Sequence, residues 1–407
     1  MSELAAFRGF GIEIEYMIVH RATLGVAPLA DVVLAAAAGE ITGETEQGAL
    51  GWSNELALHV IELKTNGPAP HLGDVPAAFA EGVARVNALL APHGACLMPG
   101  AAHPWMNPDT DTRLWPHDQD VIYQAYHRIF DCRGHGWSNL QSMHVNLPFA
   151  DDREFAKLHA AIRAVIPILP ALAASSPFLD GRATGRKDTR LATYARNQAR
   201  IPAIVGHVVP DAVSSHDEYQ VKVLAPMYRA IAPYDPDGTL QHEWLNSRGA
   251  IARFDRHAIE IRVLDTQEHP GADLAVCALV VDAVQRLYEG DNARLHEADA
   301  IPTERLAALF RACVDTAETA IIDEPSYLAL FGIGEHALPA GEVWRRIAGG
   351  KTLPVDREPI DVILREGTLA TRLERAVGPA VSRASLAAVY GELCACLAEG
   401  RSLHGAP

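Results

Sequence analysis

The chain has 407 residues, 49% of them hydrophobic and 21% charged. That balance belongs to a folded protein with a sizeable core and excludes a disordered chain, a collagen-like fibre and a disulfide-stapled mini-domain. With 35 basic against 51 acidic residues the formal net charge is −16, which repels nucleic-acid backbones and anionic membranes, so neither is an expected partner.

The first residues, MSELAAFRGFGIEIEY, carry no apolar signal core, and the expectation is a soluble, cytoplasmic protein. In chain order, alternating β-formers predict strands over Phe10–Val19, Leu56–Thr65, Cys96–Met98, Ser142–Leu147 and Ala258–Leu264. Helical periodicity marks 27–39, 74–93, 152–174, 216–231 and 271–289, with Asp74 as an N-cap and Pro76 in the first turn behind it. The greasy run Ala160–Ala174 contains Arg163, Pro167 and Pro170 and falls short of a membrane span. From about residue 300 the chain reads as almost entirely helical. The expected organisation is a domain over 1–290 and a helical region over 291–407 packed on it.

Six cysteines, at 96, 132, 277, 313, 394 and 396, form no CxxC and no zinc-like spacing. They read as free thiols in a reducing compartment.

The strands lie far apart in sequence. A sheet built from them needs long helical connections, and helices must then cover one of its faces. The period of two decides what the other face holds. Glu13 and Glu15 share a face, as do Glu62 and Lys64, His144 and Asn146, and Glu260 and Arg262. Their neighbours Ile12, Ile14, Met143, Val145, Leu147, Ile259, Ile261 and Val263 take the opposite side. Solvated faces favour Lys, Thr and Ser; this set is instead hard-cation ligands plus a phosphate-binding guanidinium. Carboxylates crowded on one concave face raise each other's pKa unless cations sit between them. A metal-free network of Glu260–Arg262 and Glu62–Lys64 ion pairs fits the same residues.

A second feature is the loop after Ser175-Ser176-Pro177, where Arg182, Arg186, Lys187 and Arg190 fall within nine residues. In so acidic a chain this basic cluster suits a substrate carboxylate or phosphate, as part of a lid or clamp. No P-loop, G-x-S-x-G, HExxH or EF-hand loop is present. Gly332-Ile-Gly334-Glu-His-Ala337 lacks the βαβ context of a dinucleotide site.

The segments Gly11-Ile-Glu13-Ile-Glu15-Tyr16, Glu55…Glu62, Ser142-Met-His144-Val-Asn146, Ser175-Ser-Pro-Phe…Asp180-Gly-Arg182 and Glu260-Ile-Arg262-Val-Leu-Asp265-Thr-Gln267 occur in that order. Together they resemble the glutamate–cysteine ligase superfamily, nearest to its second branch, the carboxylate-amine ligases, over about residues 8–290. The resemblance implies an α+β fold like the catalytic domain of glutamine synthetase, a curved antiparallel sheet forming a funnel with helices outside. It implies ATP and two or three Mg²⁺ or Mn²⁺ ions. Position by position it makes Glu13, Glu15, Glu55, Glu62, His144 and Glu260 metal ligands and Arg262 the contact to the transferred phosphate. Lys64 joins Arg262 as an expected nucleotide contact, and Asn146, Arg182, Arg186, Lys187 and Arg190 are expected at the substrate. Glu55 and Glu62 are seven apart, so an unbroken strand would set them on opposite faces; either a bulge intervenes or Glu55 is structural. The branch commonly has His-x-His where this chain has His144-Val-Asn146, which points to a subgroup with a different substrate.

The expected activity is ATP-dependent joining of a glutamate-like carboxylate to an amine through an acyl phosphate, with Arg262 and Glu260 at the reacting phosphate. Glutamate–cysteine ligation proper is the nearest alternative. An ATP-dependent phosphotransferase and a non-catalytic nucleotide-binding regulator are alternatives of other kinds. Long helical arms leave a homodimer open.

Overall fold

The computed structural model describes residues 4–117 and 120–405. Ten strands lie within the first 265 residues: β1 (Gly11–His20), β2 (Glu44–Gln47), β3 (Leu50–Asn54), β4 (Val60–Thr65), β5 (Ala95–Met98), β6 (Ser142–Pro148), β7 (Phe178–Leu179), β8 (Arg182–Ala183), β9 (Ala250–Arg253) and β10 (Ala258–Asp265). Eight of them form one sheet in the order β2-β3-β4-β1-β6-β10-β9, with β5 paired to the second half of β1. All its pairings are antiparallel. β7 and β8 make a separate small hairpin. The fold is therefore the α+β arrangement expected, a large antiparallel sheet with helices around it.

The five strands read from alternation are present, each within a few residues of the expected bounds except the second. There the strand starts at Val60, and the residues from Glu55 belong to the turn after β3. The short strands β2, β3 and β9 gave no clear alternation. The helices occur at Ala30–Ala38, Val75–Leu90, Asp152–Val165 and Pro270–Glu289. The 216–231 segment is helical but passes through a π-turn at Gln220–Leu224. Asp74 occupies the N-cap of Val75–Leu90, but its side chain makes no capping bond, because a short 3₁₀ turn ending at Asp74 runs straight into the helix. The region after 300 is mostly helical, and one two-residue strand pair, Ile321–Ile322 with Leu338–Pro339, brackets helix Pro325–Leu330.

The two faces of β1 explain the architecture. Ile12, Ile14, Tyr16 and Ile18 are fully buried on one side, in a core shared with the helices. Helix Val75–Leu90 approaches that side closely at Gly82, where a Cβ would lie 2.9 Å from both Leu50 and Leu63. On the opposite side the face is split. Met17 and Val19, with Cys96 and Met98 of β5, lie under the C-terminal helices Leu369–Val377 and Arg383–Glu399, through Leu369, Leu373, Leu386, Tyr390 and Leu393. The other half, bearing Glu13 and Glu15, stays open. The helices after residue 300 thus close one end of the concave face and leave the polar end as a cavity. Their attachment includes a fully buried ion pair between Arg372 and Glu268, with Arg372 also donating to the Leu403 carbonyl at 2.6 Å. No helix among the described residues is long and apolar enough to cross a membrane. All six cysteines are free.

Candidate active site

Strand register assembles the polar face. Glu13 lies opposite Lys64 on one side and His144 on the other. Glu15 is opposite Glu62, Glu62 is opposite Ser53, and Glu260 is opposite Asn146. Four strands, read separately from the sequence, thus converge on one floor. Above it lies a cavity of about 550 Å³, lined by Glu13, Glu15, Glu55, Glu62, Lys64, His144, Arg190, Glu260 and Arg262 among others.

The contacts are short. His144 Nδ1 lies 3.0 Å from Glu13 Oε2 and 3.7 Å from Glu260 Oε1. Asn146 Nδ2 donates to Glu13 Oε1 at 3.0 Å. Ser142 donates to Glu15 Oε2 from its backbone N–H at 2.8 Å, and its hydroxyl lies 3.0 Å from His144 Nε2. Ser53 Oγ donates to Glu62 Oε2 at 2.6 Å. Lys64 Nζ sits 2.9 Å from Glu44 and 3.5 Å from Glu62. Arg262 Nε donates to Glu260 Oε1 at 3.1 Å, while Arg253 approaches Glu260 Oε2 at 3.7 Å.

Arg262 owes its position to a bulge. β10 pairs Ile261 with Val145 and Leu264 with Met143, so Arg262 and Val263 together face the single residue His144. The main-chain groups of Arg262 are satisfied outside the β6 ladder. Its N–H donates to the Gly249 carbonyl at 3.0 Å, and its carbonyl accepts from Arg190 Nη2 at 2.8 Å.

Electrostatics separate the carboxylates. Burial pushes Glu62 up to about 8, with the Glu13 charge adding to it. Burial and the charges of Glu15, Glu62 and Glu13 hold Glu55 well above the ordinary carboxylate range. Burial would raise Glu13 as well, but the hydrogen bond and charge of His144 outweigh it and hold Glu13 at about 2. His144 is raised: burial opposes its charge, but Glu13 and Glu260 overcome that penalty. Two carboxylates forced toward protonation beside a third held ionised mark a site with more negative charge than its own cations offset.

Two groups of potential ligand atoms lie within 4.8 Å of one another: Glu13, His144 and Glu260, and Glu15, Glu62 and His144. The donor set is oxygen-rich with one imidazole, which suits Mg²⁺ or Mn²⁺. Glu55 lines the cavity but belongs to neither group. It sits in the turn just after β3, so strand alternation from Glu62 does not govern its direction. The Glu260–Arg262 and Glu62–Lys64 ion pairs of the metal-free alternative also exist. They leave Glu15 and Glu55 without a salt bridge among the described residues.

The basic loop is placed differently from the expectation. Arg182 is exposed near Asp180, Arg186 pairs with Asp315 at 2.8 Å, and Lys187 pairs with Glu374. None of the three lines the cavity. Only Arg190 reaches it, and it is buried against Asp265 at 3.2 Å. The cations missed in the sequence are Arg253, at the end of β9, and Arg256, exposed in the following turn; both line the cavity. An aromatic wall was also missed: Tyr123 and Tyr126 on helix Asp120–Phe130, with Trp137 and Trp244. The stripe Ile122, Tyr123, Tyr126 and Phe130 on that helix was the available signal.

Comparison with known proteins gives a consistent picture. Residues 9–388 match the model of glutamate-cysteine ligase family 2. An uncharacterised protein of Archaeoglobus fulgidus is 36% identical over 253 residues, covering 62% of this chain and 68% of that relative. A Bradyrhizobium (strain ORS 278) protein provisionally named glutamate–cysteine ligase 2 is 30% identical over 279 residues, 68% of this chain. The match spans 58% of that relative's length. Among solved structures, the glutamate–cysteine ligase of Francisella tularensis, in complex with AMP, aligns at a TM-score of 0.57 with 11% identity, covering 97% of this chain and 90% of that one. A bifunctional glutathione synthetase of Pasteurella multocida aligns at 0.54 with 15% identity, over 96% of this chain and 53% of that one. At such identities the structural likeness is one of fold.

Proposed function

The chain belongs to glutamate–cysteine ligase family 2, and from that premise we propose that it is an ATP-dependent carboxylate–amine ligase acting in the acidic cavity. The observation that carries this reading is the convergence of Glu13, Glu15, Glu62, His144 and Glu260 beneath Arg262 on one concave sheet face. Such a surplus of buried carboxylate fits a nucleotide polyphosphate brought in with divalent cations.

Glu13, Glu15, Glu62, His144 and Glu260 would hold the ions. Mg²⁺ bound there supplies charge neutralisation of the triphosphate and orientation of its terminal phosphoryl group. In the first step a carboxylate oxygen attacks the γ-phosphorus, the bond to the β–γ bridging oxygen breaks, and ADP leaves. In the second the amine nitrogen attacks the acyl carbon, phosphate departs with the former carboxylate oxygen, and the amine loses a proton. Arg262, fixed by Glu260 and by the bulge, stabilises the charge on the transferring phosphoryl. Arg253 and Arg256 at the cavity edge attract the anionic substrates. Glutamate is the carboxylate that the family suggests, giving a γ-glutamyl amide.

The test is phosphate release from MgATP across a grid of amino-acid carboxylates and amines, with mass spectrometry of each positive well. Release that requires both partners, with a product mass equal to their sum minus water, supports ligation. ADP without free phosphate or amide points instead to a phosphotransferase.

A further inference from the structure

One side of the cavity has apolar surface that the protein itself leaves uncovered. Tyr126, Trp137 and Trp244 line it and are each only half-buried. Ring centroids lie 5.2 Å apart for Tyr126 and Trp137 and 6.0 Å for Tyr126 and Trp244. Phe130 stacks behind Trp137 at 5.6 Å. Ile122 and Leu140 extend the surface. Rings at these separations form a continuous wall on which a further flat group finds offset or edge contacts. Half-buried aromatic surface facing a cavity marks a ligand contact more than a packing need.

Position decides which ligand. Helix His135–Ser138, which carries Trp137, packs on helix Thr189–Tyr194, whose Arg190 donates to the Arg262 carbonyl at 2.8 Å. The wall therefore adjoins the point where the phosphoryl is transferred. An adenine base is held away from that point by two phosphates and a ribose, whereas an acceptor amine must come within bonding distance of the acyl carbon there.

Resting on the ligase reading above, we propose that the acceptor is an amine with an arylalkyl body, whose ring packs on Tyr126, Trp137 and Trp244 while its nitrogen faces Arg262. A small acceptor such as cysteine leaves this wall wet and loses that burial.

The experiment separates the two claims. Hydroxylamine traps an acyl phosphate as a hydroxamate and needs no acceptor pocket, so MgATP-dependent hydroxamate formation from glutamate or another amino-acid carboxylate tests the ligase reading alone. With that carboxylate, kcat/KM is then compared for 2-phenylethylamine, propylamine and cysteine. The expected result is a preference for 2-phenylethylamine over propylamine of about 100-fold, which falls toward unity in Trp244→Ala and Tyr126→Ala and is largely kept in Trp244→Phe. Equal or better use of cysteine or propylamine, with hydroxamate still formed, overturns the acceptor assignment and leaves the ligase reading standing. A rise in KM for ATP in Trp244→Ala with the amine preference intact also overturns it and assigns the wall to adenine. No hydroxamate with any carboxylate overturns both.

Discussion

Arg190 holds Arg262 by its main chain: Nη2 of Arg190 donates to the Arg262 carbonyl at 2.8 Å, while Nη1 binds Asp265 at 3.2 Å. Arg190 is 2% exposed. It spans the β10 bulge from outside the ladder, fixing the residue whose side chain meets Glu260. Arg190→Lys keeps the charge but not the fork. It is expected to lower kcat at least about tenfold while KM for ATP changes little, measured by steady-state phosphate release. A change confined to KM would make Arg190 a substrate contact instead.

Arg262 itself is expected to act on the transition state. Arg262→Lys should cost about 10²–10³ in kcat, the usual loss of one preorganised charge donor, and Arg262→Ala and Glu260→Ala should abolish turnover. Near-normal rates in any of these variants contradict the assignment.

The site's titration gives a stability prediction. Glu62 has a folded pKa of about 8, above its unfolded value of 4.5. A carboxylate raised in this way holds its proton more tightly when folded, so the stability that Glu62 contributes to the metal-free protein is lost as pH rises from about 5 to 8. His144, also raised, has the same sign. Buried His59 and His103, held near 4 by desolvation, oppose this below pH 6.5 and no longer contribute a slope above it. Between pH 6.5 and 8 the Tm without metal should therefore fall, and less so in Glu62→Gln. Added Mg²⁺ should raise Tm more at pH 8 than at pH 6.5, because protons no longer compete for the ligands. An equal Mg²⁺ shift at both pH values, or none, argues against this cluster as the metal site.

The C-terminal helices are tied down by Arg372, fully buried against Glu268. Removing one member of such a pair strands the other charge, so Arg372→Ala should destabilise the protein by about 3–5 kcal/mol in urea unfolding. Arg186→Ala, whose ion pair with Asp315 is about half exposed, should cost under about 1 kcal/mol. Equal losses would mean that the buried pair does not anchor the helices.

What the sequence disclosed follows from local periodicity. Alternation in β1, β6 and β10 fixes which side chains share a face, so Glu13, Glu15, His144 and Glu260 could be grouped before any fold was known. The same logic failed for Glu55, because the chain turns between it and Glu62 and a turn carries no period. The basic loop misled for another reason. A local surplus of cations says nothing about distant partners, and Asp315 and Glu374, more than a hundred residues away, take up Arg186 and Lys187. Arg253, Arg256 and the aromatic wall come to the cavity only through tertiary packing of β9 and the turn after it, helix Asp120–Phe130, and the short helical turns that carry Trp137 and Trp244.

The most direct measurement follows the oxygen. With a carboxylate substrate labelled in both carboxyl oxygens with ¹⁸O, turnover with MgATP and an amine should place one ¹⁸O in each released phosphate and leave one in the amide. Unlabelled phosphate would contradict transfer of the phosphoryl group to the carboxylate, and with it the role given to Glu260 and Arg262.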